Sequence, residues 1–554
     1  MSGHWLDQLI ILPILVPLVC GALLVLFNER RHRLKFTINL LGTLSLLAMA
    51  LALVYLTDSE YWPKGIGVYL AANWSAPFGI VLMADRLTSV MLLLTSLMAL
   101  AALVFSLTRW SRIGVHFHSL FQFLLMGING AFLTGDLFNL FVFFEVMLTA
   151  SYGLLLHGYN TLRIRAGMKY IVINLVSSFF FLIGVALIYA AAGSLNMADL
   201  AARIGGLGAS DRLLLEMGAA ILAVAFLTKS AMWPLGFWLP TTYSAASPPV
   251  AAMLVLMTKV GIYVLLRLWL LLFSDAAGES AGFGGNALLW GGLVTLAFGT
   301  IGLLASQEPG RMAGYSAIVS SGTLLAAIGY GQPSLVTAAL FYLLGSTLAV
   351  AAFLLLIELI ERIRSPGAAM LALTMEAFAI DDAPRESAGV AIPAAMAFLG
   401  LAFVGCALII TGLPPLSGFI AKFSIFHALL NSSNLTTAGE TGISALTWGL
   451  LALVILSGLA GIISLMRFGV RTFWAASITK PPRLQIAEVT PISLLLLLCV
   501  AMTVQAGPVM AYLDRASQAL HQPGAYIQRV LSEPPVANDT AHSRSISAAS
   551  EVRP

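Results

Sequence analysis

Fourteen stretches, each near the length of a membrane-crossing helix and almost free of charge, follow one another along the 554 residues. An apolar run of about 20 residues matches the thickness of a bilayer's hydrocarbon core. Few soluble folds could bury so many separate apolar pieces. Composition agrees: 59% of residues are hydrophobic and 10% charged, and mean hydropathy is +0.93. The expected spans are 8–28, 36–57, 85–107, 117–135, 137–157, 168–190, 213–247, 249–273, 287–305, 311–329, 333–360, 391–430, 446–467 and 490–512. Two of them, 213–247 and 391–430, are too long for one straight helix, and both carry glycine and proline near the middle. The reading is an all-α polytopic membrane protein in which residues 1–512 form one membrane domain.

The first apolar segment lacks a basic leader and a small-residue cleavage site, so it reads as a retained span. Cys20, Cys406 and Cys499 fall inside spans without the C-x-x-C spacing of a metal or iron–sulfur site, and no phosphate-binding loop is present. No cofactor and no metal site is expected. Alternate connections collect the positive charge: Arg30, Arg31, Arg33 and Lys35, then Arg109 and Arg112, then Arg163, Arg165 and Lys169. Arg311, then Arg362, Arg364 and Arg385, then Arg467, Arg471, Lys480 and Arg483 continue the series, 17 of the 29 basic residues in all. The opposite connections hold Lys64, Arg203 and Arg212. The positive-inside rule makes the basic side cytoplasmic and places both termini outside. Residues 361–390 read as a cytoplasmic connection, and 513–554 as a polar, disordered tail.

Few ionisable groups remain inside spans: Glu145 in "FVFFEVMLTASYG", Lys229 in "LTKSAMWPLGFWLP", Lys259 in "MLVLMTKVGIYVLLRL" and Lys422 in "LSGFIAKFSIF". A charge at the bilayer centre costs about 2.5–3.5 kcal/mol on insertion scales, so such residues are functional candidates by default. Glu145 shares a helical face with Thr149 and Tyr152, which reads as a narrow polar stripe turned into the bundle. Lys259 shares its face with Tyr263, and His427 follows Lys422 by five residues; Thr149, Tyr263 and His427 are possible accessory groups. Arg267, near a span end, is expected to snorkel to the interface. Asp85 and Asp136, also at span ends, suit capping as well as function. Burial favours the neutral form of lysine and glutamate, and a nearby opposite charge favours the charged form. A lysine whose carboxylate partner can approach or retreat is therefore able to take up and release a proton. One acid and three lysines have the chemistry of a proton relay.

The two broken helices resemble each other. Pro234-Leu235-Gly236-Phe237 in the first is echoed by Pro415-Leu416-Ser417-Gly418-Phe419 in the second, where Gly412 and Pro414 also interrupt the helix. They occupy corresponding places in two groups of five spans, 4–8 and 9–13, about residues 117–273 and 287–467. Paired interrupted helices in repeated halves point to a transporter's ion pathway.

The stretches "DLFNLFVFFEVMLTASYGLLLHG", "KYIVINLVSS", "FLTKSAMWPLGFWLPTTYSAASPPVAAMLVLMTKVGIYVLLR" and "TGLPPLSGFIAKF" resemble the antiporter-like subunits shared by Mrp-type cation/proton antiporters and the membrane arm of complex I. "GDLFNLFVFFEVML" and the lysine in the second broken helix are most similar to the D-type subunits of the Mrp (Mnh, Pha) group. The resemblance implies two inverted five-helix repeats, Glu145 and Lys229 as a coupled pair, Lys259 as central relay and Lys422 as terminal proton site. It also implies a hetero-oligomeric complex of the bacterial inner membrane with a large A-type and a small C-type partner. That complex would use the proton gradient to expel Na⁺ or K⁺. No nucleic-acid partner is implied. The chain departs from the family in "EPGRMAGYSAIVSSG": Arg311 and Tyr315 remain, but Gly310 and Ser320 stand where a lysine and a histidine are common.

The reading that competes most closely is a proton-pumping subunit of a complex I-type quinone oxidoreductase or membrane-bound hydrogenase. A solitary organic-solute transporter would need a polar or aromatic central cavity where this chain has lysines. In a passive scaffold the intramembrane charges would only lock helices together.

Overall fold

The computed structural model describes residues 4–158, 160–362, 394–431, 445–474 and 484–535. Apart from its first two residues, the expected 361–390 connection lies outside them, as do residues 536–554. Helices α1 (His4–Asp7), α2 (Leu12–Leu26) and α3 (His32–Asp58) open the chain. An antiparallel hairpin, β1 (Gly67–Leu70) on β2 (Val81–Ala84), precedes α4 (Arg86–Ser106). Next come α5 (Phe117–Leu133), α6 (Leu137–Leu156), α7 (Thr161–Ala192) and the short α8 (Met197–Ile204). The first broken span is α9 (Ala209–Lys229) with α10 (Leu239–Ala245), followed by α11 (Pro248–Leu272). The second group is α12 (Gly285–Ala305), α13 (Pro309–Tyr330), α14 (Pro333–Glu361), the broken span α15 (Ala394–Thr411) with α16 (Ser417–Asn431), and α17 (Ala445–Gly469). Helices α18 (Ile486–Val504), α19 (Ala506–His521) and α20 (Gly524–Leu531) end the described chain.

Each of the fourteen expected spans is thus a helix or a helix in two pieces. Among the described residues, eleven helices are long and apolar enough to cross a membrane, and α2 and α5 are shorter apolar helices. Their starts follow local chemistry. Asp85 and Asp136 both cap, accepting from the backbone N–H of Thr88 at 2.8 Å and of Asn139 at 2.9 Å. Pro248, Pro309 and Pro333 sit in first turns, where a missing N–H costs nothing. Asn160 caps α7, which starts at Thr161, seven residues before the expected start at 168, so Arg163 and Arg165 join Lys169 on the helix itself.

Helices α11, α13 and α14 form the buried spine. The apolar window of α11 is enclosed along its whole length, and it packs against α4, α9, α13 and α14. The arginine-rich connections meet at one end of the bundle: Arg109 reaches Glu358 at 4.0 Å, His116 N–H donates to Glu29 at 3.2 Å, and Arg467 donates to the Ser306 carbonyl at 2.7 Å.

Two expectations need correction. The tail expected to be disordered from 513 onward is helical through Leu531. Leu513, Ala516, Ser517 and Leu520 make a buried stripe at helical spacing, which the polar composition of the segment masked. Helix α19 crosses the ends of α4, α11 and α14 opposite the arginine-rich end, with Ser517 donating to the Pro333 carbonyl at 2.7 Å and Tyr512 to the Arg86 carbonyl at 3.0 Å. Arg267 does not snorkel. It is buried, and its guanidinium grips both carboxylate oxygens of Asp85 at 2.6 and 2.8 Å, with Thr88 and Tyr263 completing the cluster. Asp85 lies 182 positions away in the chain, a distance that no local reading bridges.

Candidate functional site

Helix α9 stops at Lys229 because Ala231 turns into the left-handed region (φ 59°) and Pro234 follows. The break's freed groups are met by side chains: Thr228 carbonyl by the Trp238 indole at 3.2 Å, and Trp233 N–H by the Thr295 hydroxyl at 2.9 Å. Lys229 therefore sits in the last turn of a half-helix, whose carbonyl end carries partial negative charge. The second break uses the same physics with the order reversed. Lys422 lies beyond it and reaches back, its Nζ donating to the carbonyl of Thr411, the last residue of α15, at 2.8 Å. Gly412 makes this possible. Its φ of 80° suits glycine, and a Cβ there would come within 2.5 Å of the Lys422 side chain.

All three lysines are buried, 1% exposed for Lys229 and Lys259 and 7% for Lys422. Lys229 Nζ donates to the Tyr170 hydroxyl and the Asn174 amide oxygen, both at 3.0 Å. Its charge also faces the Tyr170 ring at 5.0 Å and the Phe144 ring at 5.9 Å. Tyr170 is 2.9 Å from the Ser151 hydroxyl, which donates to the Leu148 carbonyl at 2.7 Å. Lys259 has a matching ladder. Its Nζ donates to Ser320 at 2.8 Å, Ser320 is 2.9 Å from Ser346, and Ser346 donates to the Leu343 carbonyl at 3.3 Å. Lys229 and Lys259 thus each feed two hydroxyls in series, ending on a helix carbonyl, whereas Lys422 donates to a carbonyl directly. Hydroxyls both donate and accept, so such a series can hand a proton along.

Glu145 and Lys229 make no direct ion pair. Glu145 accepts from Ser178, although it lies within electrostatic reach of Lys229. Helix α7 connects the two, presenting Tyr170, Asn174 and Ser178 at four-residue intervals along one face. Of the expected stripe beside Glu145, Thr149 is exposed and Glu145 only half-buried, so the stripe lies at the rim of this chain and not inside its bundle. Helical spacing tells which residues share a face, but not which face meets a neighbour.

The other accessory candidates fall elsewhere. Tyr263 gives its hydroxyl to the Phe132 carbonyl at 2.6 Å and joins the Asp85–Arg267 cluster, away from Lys259. His427 pairs with Asn431 and lines an open cavity of about 450 Å³ with Thr337 and Asp514. Among the described residues it has no hydrogen bond to Lys422. The departure at Gly310 has a packing reason, since a Cβ there would lie 2.8 Å from Ser244 Cα, where α13 presses on α10.

Sequence reasoning missed Ser151, Tyr170, Asn174, Ser178 and Ser346 as site residues. Three of them stand in "KYIVINLVSS" with polar groups every fourth residue, a signal that was available. Among the described residues no group of three or more His, Cys, Asp or Glu side chains could hold a metal ion.

Known proteins resemble this chain along most of its length. The sequence model of the NADH:quinone oxidoreductase/Mrp antiporter transmembrane family matches residues 134–447. The D subunit of a probable K⁺/H⁺ antiporter from Rhizobium meliloti (strain 1021) is 54% identical over 96% of this chain and 98% of its own length. The D subunit of an Na⁺/H⁺ antiporter from Alkalihalophilus pseudofirmus is 33% identical over 95% of this chain and its full length. A chain in the solved Mrp complex from Dietzia sp. superposes with a TM-score of 0.78 at 26% identity, covering 96% of this chain and all of that one.

Proposed function

The chain belongs to the NADH:quinone oxidoreductase/Mrp antiporter transmembrane family, among its D-type antiporter subunits, and we propose that it moves protons within a multi-subunit Na⁺ or K⁺/H⁺ antiporter of the bacterial inner membrane. In this reading the arginine-rich end faces the cytoplasm, and large and small partners of the A and C types complete the complex. The observation that carries the reading is the pair of matching ladders, Lys229–Tyr170–Ser151 and Lys259–Ser320–Ser346, each built on a lysine inside the bundle.

A proton held on Lys229 is stabilised by Tyr170, Asn174 and the carbonyl end of α9, and Glu145 acts on it through Ser178 and α7. Movement of Glu145 or of a neighbouring charge weakens that hold and releases the proton towards Lys259. Lys422, on the carbonyl end of α15, receives it last. A path lined by lysines repels metal cations, so the cation passes beside this chain or through a partner.

The test is cation-dependent proton exchange in vesicles holding the whole complex. Lys229→Ala or Lys259→Ala should abolish exchange while the complex still assembles. Normal exchange in an assembled variant would sink the relay, and failure to assemble would favour a scaffold role. Comparing K⁺ with Na⁺ in the same vesicles decides the ion, because the relatives named above differ in it.

A further inference from the structure

We infer that the arginine-rich end of the first five-helix group holds the headgroup of an anionic phospholipid, in a pocket between the connection after α4 and the start of α7. The pocket is a cavity of about 610 Å³ walled by Arg109, Trp110, Asn160, Thr161, Arg163 and Ile164. Arg109 and Arg163 both set their guanidinium groups against the Trp110 ring, at 5.3 and 5.5 Å. Two cations sharing one indole repel each other, and an anion between them would relieve that repulsion. Arg163 is 7% exposed and hydrogen-bonds three carbonyls, those of His157 at 2.6 Å, Gly158 at 3.2 Å and Ala245 at 3.0 Å. Among the described residues no carboxylate lies within ion-pair distance of it, and Arg109 only grazes Glu358 at 4.0 Å. Among the described residues the buried Trp110 indole N–H has no acceptor. The wall thus carries two guanidinium groups, that of Arg109 exposed, with no carboxylate among the described residues nearer than the 4.0 Å contact to Glu358, which fits a phosphodiester.

The surroundings say which phosphodiester. Ile113 and, on α7, Ile164, Met168 and Val172 are exposed apolar side chains beside the pocket, and they give acyl chains a surface to lie on. A soluble phosphate would gain nothing from that face. Basic pockets between spans at the membrane boundary are suited to anionic lipid heads.

Arg163 also ties together parts of the proposed relay. Its three carbonyl partners belong to the α6–α7 connection and the end of α10, the second piece of the first broken helix. Helix α7 carries Tyr170, Asn174 and Ser178. A phosphate drawn to Arg163 would fix α7 against the broken helix and so hold Lys229 among its partners. That coupling rests on the functional reading above, whereas the binding does not.

The experiment uses the complete purified complex and two readouts. Native mass spectrometry counts phosphatidylglycerol retained by the parent and by Arg109→Gln, an exposed position whose loss leaves the Arg163 hydrogen bonds intact. Exchange is then measured in phosphatidylcholine vesicles with and without phosphatidylglycerol. The parent should retain more phosphatidylglycerol than the variant and run several-fold faster with it, while Arg109→Lys should recover part of both effects. Equal retention by parent and Arg109→Gln would overturn the site, as it would if an acidic segment of another subunit filled the pocket. Inorganic phosphate alone reproducing the stimulation in phosphatidylcholine would overturn the lipid assignment. Unequal retention with exchange indifferent to lipid would overturn the coupling. A parent complex inactive in every vesicle would strike the functional reading, leaving retention to judge the site separately.

Discussion

The hydroxyl of Ser320 accepts a 2.8 Å hydrogen bond from Lys259 Nζ. It is the one hydrogen-bond partner of Lys259 Nζ among the described residues, and Ser346 extends the contact by 2.9 Å. A hydrogen bond to a charged group contributes about 1.5–3 kcal/mol. Ser320→Ala should therefore slow proton exchange by roughly tenfold or more if that energy is lost at the rate-limiting transfer. Ser320→Thr should keep most of the rate. Vesicle exchange at matched complex content checks both.

Asn174 and Ser178 divide the link between Lys229 and Glu145. Asn174→Leu, close in size, removes a lysine partner and leaves Tyr170 alone to hold it. Exchange should fall while assembly is normal. Ser178→Ala frees the carboxylate of Glu145 instead, so its effect should disappear in a Glu145→Gln background. A double-mutant cycle on exchange rates measures this coupling.

The Asp85–Arg267 pair should matter for stability more than for transport. Removing one member of a buried ion pair costs about 3–5 kcal/mol because the other charge is left unpaired. Arg267→Leu should lower the unfolding temperature of the purified complex markedly, and adding Asp85→Asn should restore part of it. If Arg267→Leu melts like the parent, the cluster is not a lock.

Gly412→Ala tests the second break. A left-handed backbone costs a residue with a Cβ about 1–2 kcal/mol, and the added methyl meets Lys422. Exchange should drop further than Gly458→Ala makes it drop, since a Cβ at 458 stays 3.0 Å from the Thr411 oxygen and 3.3 Å from Lys422 Nζ, against 2.5 Å from the Lys422 side chain at 412.

The positions of the spans and both breaks were legible because bilayer thickness and backbone chemistry act on short stretches. An apolar run of the right length or a Pro-Gly pair carries the information locally. The stripe on α19 was equally local and was hidden only by polar residues around it. Lys229, Lys259 and Lys422 stood out for the same reason, as charges inside apolar runs, and the structure places all three in the bundle.

Where the spans lie, where two of them break and which lysines enter the membrane are written in the order of residues. These follow from the energy of placing each residue in hydrocarbon, which depends on little but the residue and its near neighbours. The partners came from packing in three dimensions. Packing turned Arg267 inward to Asp85, set Glu145 on Ser178 instead of Lys229, and gave Lys259 a serine ladder. Hydrogen bonds act over about 3 Å, and the groups that meet at that distance lie tens to hundreds of residues apart in the chain. Contacts between whole helices bring them together, and no local pattern encodes that meeting.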